Sequence, residues 1–170
     1  MKKKLLFYFV FIVFFLLLQT TVLQRAKILG VMPNLLITLT IVTALVRNST
    51  EGAVVGLFSG LCIDMQFGAV LGFYGLLGMF TGIAAGSLSR KIYRENLLVV
   101  AFFTFVYSVV YESVVFVINN IMSGDINFAF AFTRIILPEA GYNCAVSLLL
   151  FPLLVKAGKW FDMSATARKY

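Results

Sequence analysis

The chain has no histidine. That removes the commonest general base and a standard zinc ligand, and with them most zinc or di-metal membrane hydrolases. Cysteine is almost as scarce. Cys62 and Cys144 each sit within an apolar stretch, at no metal-ligand spacing and in no disulfide framework, and they read as small packing residues. Charge is the third shortage: 12% of residues are charged, where a soluble domain carries about 25%. With 61% hydrophobic residues, an ordinary soluble domain is excluded. The ~10-residue alternating segments of a membrane β-barrel are also missing.

Long uncharged runs separated by short charged clusters take up the sequence instead. Each run approaches the ~20 residues with which a helix crosses ~30 Å of hydrocarbon. The net charge of +7 does not mark a nucleic-acid binder, because the basic residues flank apolar spans rather than lining a soluble face with interleaved aromatics. Anchoring and orientation in a membrane explain them.

Read along the chain, Lys2, Lys3 and Lys4 precede an uncharged run over 5–23, too long for a signal-peptide core and without a small-residue cleavage pattern, so a retained first helix is expected. A second span covers 33–46, with Pro33 in its first turn. Ser49 or Thr50 is the expected N-cap of the third, with Glu51 in its first turn. Residues 52–89 form a run of 38 with one charge, Asp64. That suits two short spans, 52–66 and 69–88, joined near Met65, Gln66, Phe67 and Gly68. A fifth span covers 97–120 and contains Glu112. A short interfacial helix capped by Asp125 then leads to Pro138, which marks a kink or a helix start, and the last span is 138–155. The whole is expected to be one polytopic domain, 1–170, all-α with six transmembrane helices. If both termini are cytoplasmic, eleven basic residues lie inside and three (Arg25, Lys27 and Arg134) outside, the asymmetry the positive-inside rule requires.

Two patterns stand out as sites. Gly52, Gly56 and Gly60 recur every four residues along one helix face, and Asp64 continues the row; Gly68 and Gly72 follow, then Gly78, Gly82 and Gly86 at the same spacing. In lipid, small residues at such spacing let backbones approach, either helix on helix within the chain or against a partner's span. Dinucleotide and phosphate loops do not apply, for want of a strand–turn–helix setting. The second pattern is polar. Asp64 lies about 18 Å along its helix and Glu112 about 24 Å along its own, so both fall in the outer half of the bilayer. A carboxylate there should face the bundle interior, a cavity or a partner. Arg134 is expected near the same level, with Glu139 and Asn143, giving a buried polar cluster that is either open to the outer face for a ligand or partner or, as its plainest role, a salt bridge or helix cap. No catalytic set, cofactor motif or metal site accompanies it.

The motifs together resemble the rod shape-determining protein MreD family. The likeness runs over nearly the whole chain: the basic start, Pro33-Asn34-Leu35-Leu36, Glu51-Gly52, the stretch from Gly56 through Gly60 to Asp64, Leu71-Gly72, and Leu137-Pro138-Glu139 ahead of Tyr142-Asn143. The Gly-x-x-x-Gly-x-x-x-Asp stretch is its most specific part. The resemblance implies a non-enzymatic, multi-pass subunit of the bacterial cytoplasmic membrane that scaffolds peptidoglycan synthesis in cell elongation. Its implied partners are a single-span MreC-like protein and the membrane lipids, and indirectly MreB filaments and a RodA-type synthase with its class B penicillin-binding protein. A fold similar to the S components of energy-coupling factor transporters is implied as well. That likeness supplies the alternative function, a vitamin-binding S component. Such proteins dock their transport module through an alanine-rich face on the first helix, and residues 5–23 contain neither alanine nor glycine.

Overall fold

A computed structural model describes residues 2–25, 27, 30–67, 71–89, 96–121 and 127–166. All regular structure among them is helical. Helix α1 (Lys2–Leu17) continues through a π-helical segment, Leu18–Leu23. Then come α2 (Leu35–Val46), α3 (Ser49–Phe67), α4 (Phe73–Ser89) and α5 (Leu97–Ile121). A short α6 (Phe128–Ala131) passes through a second π-helical segment (Phe132–Ile136) into α7 (Leu137–Thr166) without a break. Six continuous helical runs result. Three stretches, Lys4–Leu23, Leu97–Asn120 and Phe128–Trp160, are long and apolar enough to cross a membrane, and Leu35–Val46 and Phe73–Leu88 are shorter apolar helices.

The centre of the bundle is α2. Every residue from Leu35 to Leu45 is buried, as expected of a helix that is apolar all round and has no polar face to show. At 1.5 Å per residue it is only about 18 Å long, and α1, α3, α4, α5 and α7 all pack on it. The outer helices are one-sided. On α1, Tyr8, Ile12, Phe15 and Gln19 turn inward at helical spacing, while Leu5, Leu6, Phe9, Val10, Phe14 and Leu17 are exposed. With the hydrocarbon of a bilayer as solvent, such exposure has no hydrophobic cost.

Four expectations need correction. Pro33 precedes α2 instead of opening it: Asn34 is the N-cap, and its side chain accepts from the Ile37 N–H. The cap of α3 is Asn48, whose Oδ1 accepts from the Glu51 N–H at 2.8 Å; the Ser49 hydroxyl donates across to the Ile83 carbonyl of α4. Asp125 lies outside the described residues, and Asn127 caps α6. Pro138 does not divide the last run into an interfacial piece and a span. Pro has no N–H to bond the carbonyl four residues back, and the wider turn of Phe132–Ile136 carries the helix past that defect.

Candidate functional site

The glycine row lies where α3 and α4 cross. A Cβ built on Gly56 would strike the Gly78 carbonyl, one on Gly60 the Tyr74 carbonyl, and one on Gly82 the Gly52 carbonyl. Gly86 meets Ser49 in the same way, with the Asn48 carbonyl carbon at 3.0 Å. The two backbones are in direct contact along this seam, which takes up Gly52, Gly56, Gly60, Gly78, Gly82 and Gly86. Gly72 stands apart, with φ +98 and open space around it. A side chain there would be strained by the backbone conformation, not by crowding. Gly68 lies outside the described residues.

Asp64 is 2% exposed and ends the row. Its carboxylate accepts from the backbone N–H groups of Gly72 (3.0 Å), Tyr74 (2.9 Å) and Gly75 (3.0 Å). It therefore closes the N-terminus of α4, where unsatisfied N–H groups and the helix dipole both favour an anion. Among the described residues no salt bridge joins Asp64 to Arg134. Arg134 is exposed within the second π-helical segment and makes no ion pair or hydrogen bond among the described residues.

Glu112, Glu139 and Asn143 do come together, and a residue outside the expected set joins them. Asn34 donates its backbone N–H to Asn143 Oδ1 at 2.8 Å and its Nδ2 to Glu112 Oε1 at 3.2 Å. Asn143, wholly buried, donates in turn to the Ser108 hydroxyl at 3.2 Å and so ties α7 to α5. The Glu112 and Glu139 side chains line one cavity. Gln19, in the π-helical end of α1, accepts from the Leu35 N–H at 3.0 Å. Asn34 thus links two helices, α5 and α7, while capping a third, α2. Its signal was available, since an Asn just after a proline and just before an apolar run is a helix-start pattern.

The opposite end of α1 holds a second group that the sequence reading missed. Glu51 pairs with Lys4 Nζ and with Arg47 Nε, both at 3.3 Å, and accepts from the Tyr8 hydroxyl and from Asn48 Nδ2 at 3.4 Å. A tyrosine on the inward row of a bulky apolar helix was the clue, because a buried hydroxyl needs a partner. Cys62 and Cys144 are free and half-buried, and no group of three or more Cys, Asp or Glu able to hold a metal occurs among the described residues.

These features are those of a structural membrane protein: one seam closed by backbone contact, a carboxylate used as a helix cap, and a polar centre. The family model for rod shape-determining protein MreD matches residues 1–159. No curated protein sequence and no solved structure matches the chain.

Proposed function

The chain belongs to the rod shape-determining MreD family, a non-enzymatic membrane component of the bacterial cell-elongation machinery, and on that premise we propose that it acts as a scaffold whose contacts with its partner run through the membrane spans. The partner is a single-span MreC-like protein, and through it the chain is coupled to MreB filaments and to a RodA-type synthase with its class B penicillin-binding protein. One observation carries the reading. The glycine seam is filled by the chain's own α3 and α4, so it holds the bundle together, while the outward faces of α1 and α5 leave large apolar side chains such as Phe9, Phe14 and Phe102 uncovered for lipid or for a partner helix.

Placement in the cytoplasmic membrane with both termini inside belongs to the same proposal, supported by the eleven-to-three division of basic residues. On that placement the Lys4–Arg47–Glu51 group lies at the cytoplasmic edge and Glu112, Glu139 and Asn34 toward the outer face. An S-component-like bundle is part of it too, in which six helices enclose an outward-facing polar cavity. Depletion of the chain in a rod-shaped host tests the reading. Cells should become round, and a wild-type copy should restore the rod; cells that stay rod-shaped while losing uptake of a vitamin would make the chain an S component instead.

A further inference from the structure

Between the π-helical end of α1, the segment leading into α2, and helices α3, α4, α5 and α7 lies a cavity of about 230 Å³. It stands at the end of the bundle away from Lys4, and its lining includes Gln19, Asn34, Tyr74, Tyr111, Glu112 and Glu139.

Three features of that lining are unbalanced. Glu112 and Glu139 both line the cavity, two carboxyl groups in one small space. No lysine or arginine among the described residues lines it. Glu51, at the other end of the bundle, has both Lys4 and Arg47. The second feature is Tyr111, which is 2% exposed. Its hydroxyl makes no hydrogen bond among the described residues although its side chain borders the cavity. A side chain so deeply buried whose polar tip is left to a cavity needs an explanation. The third is Gln19, 6% exposed. Its Oε1 is committed to the Leu35 N–H, and its amide nitrogen has no partner among the described residues.

We propose that this cavity binds a primary ammonium group carrying an oxygen acceptor close to the nitrogen, the chemistry of ethanolamine. The ammonium N–H groups donate to the Glu112 and Glu139 carboxyl oxygens and its charge balances the pair. The Tyr111 hydroxyl and the Gln19 amide donate to the neighbouring oxygen. Each unbalanced group then gains a partner from one ligand, the pattern of a small-molecule site: a concave space with a few convergent polar groups. A divalent metal suits it less, since calcium takes about six to eight oxygen ligands and no cluster of three carboxyl or thiol groups is present among the described residues. A quaternary ammonium has no N–H to donate. The inference stands on the cavity and does not depend on which complex the chain joins.

The test uses the purified full chain in nanodiscs of phosphatidylglycerol alone, with thermal unfolding followed as a probe is added. Ethanolamine should raise the midpoint in a saturable way, as any ligand of the folded state does. Choline, without N–H groups, and ethylene glycol, without the amine, should not. Glu139→Gln keeps a hydrogen-bonding group beside Glu112 and should still fold, but should weaken ethanolamine about tenfold or more. Tyr111→Phe removes one hydroxyl and should also weaken it. Lipid analysis of the chain as purified from native membranes separates the sources. Phosphatidylethanolamine enriched on the wild type and lost from Glu139→Gln assigns the amine to a lipid headgroup; ethanolamine binding without that enrichment assigns it to a soluble amine. Equal midpoint shifts with choline or ethylene glycol, no shift with ethanolamine, or an undiminished ethanolamine response in both variants would overturn the proposal.

Discussion

The α3–α4 hairpin and the α5–α7 side of the bundle treat polar groups in opposite ways. In the hairpin, backbones meet along the glycine seam, and the buried carboxylate Asp64 is met by three N–H groups of its own chain. Across the bundle, Glu112 and Glu139 line a cavity together with Tyr111, whose hydroxyl makes no hydrogen bond among the described residues. The first region is closed and complete in itself. The second is built with the same care (Asn34, Asn143 and Ser108 form a connected network) yet leaves an opening at its centre. The difference teaches that a carboxylate inside a membrane bundle is not one kind of feature. Asp64 is structural because its acceptor capacity is used up locally, whereas Glu112 and Glu139 keep capacity in reserve.

Substitutions can sharpen or break this contrast. The largest effect is expected in the seam. Gly60→Leu places a side chain against the Tyr74 carbonyl and the Gly75 Cα, which are backbone atoms that cannot rotate away. The loss should reach or exceed the ~1–3 kcal/mol typical of overpacking, seen as failure to accumulate as a monodisperse species. Phe58→Ala, at a position of the same helix that is 50% exposed, should accumulate normally. Equal tolerance of both would dissolve the closed half of the comparison.

Asp64 comes next. Asp64→Leu strands three N–H groups, each at a cost of about 1–3 kcal/mol when left unsatisfied, so thermal unfolding in detergent should move sharply downward. Asp64→Asn keeps one oxygen acceptor and should lose about half as much. The backbone carries this interaction, so exchanging Asp64 with Arg134 should restore nothing. Rescue by that exchange would reinstate the ion pair that the geometry denies.

The smallest effect belongs to the open half. Glu139→Gln retains a hydrogen-bonding group beside Glu112 and removes an ionisable group whose charged form is costly to bury without a counter-charge. Its unfolding midpoint should stay within the ~0.5 kcal/mol of a neutral substitution. A drop as deep as that of Asp64→Leu would make Glu139 a structural strut and the two regions alike.

Much of the closed half was legible in the sequence. Glycine every fourth residue has one physical use in lipid, and a single charge in 38 residues must have an interior partner. The identity of that partner was hidden, because backbone N–H groups carry no sequence signal and Arg134 was the only side chain of opposite charge to suggest itself. The π-helical turn before Pro138 also defeats spacing arguments, since an extra residue per turn changes which way Arg134 faces. In the open half, Glu112, Glu139 and Asn143 were visible as polar residues in apolar spans. The cap signal of Asn34 was present but passed over, because the expected helix start at Pro33 put Asn34 inside the helix, and Gln19 appeared only as part of a polar helix end. Membership of the family was carried by short motifs spread along the chain, each weak alone, and by the glycine row that ends on Asp64.

The claim that the chain scaffolds a partner through its spans is tested most directly by affinity capture of the tagged chain from native membranes, with the recovered proteins identified by mass spectrometry. A single-span MreC-like protein should be recovered, and recovery should be unchanged when the residues after Trp160 are deleted, because a standard interface of about 800 Å² per partner would then come from the helices. Loss of the partner on that deletion would move the contact to the tail, and recovery of an ATP-binding transport module without any MreC-like protein would contradict the scaffold itself.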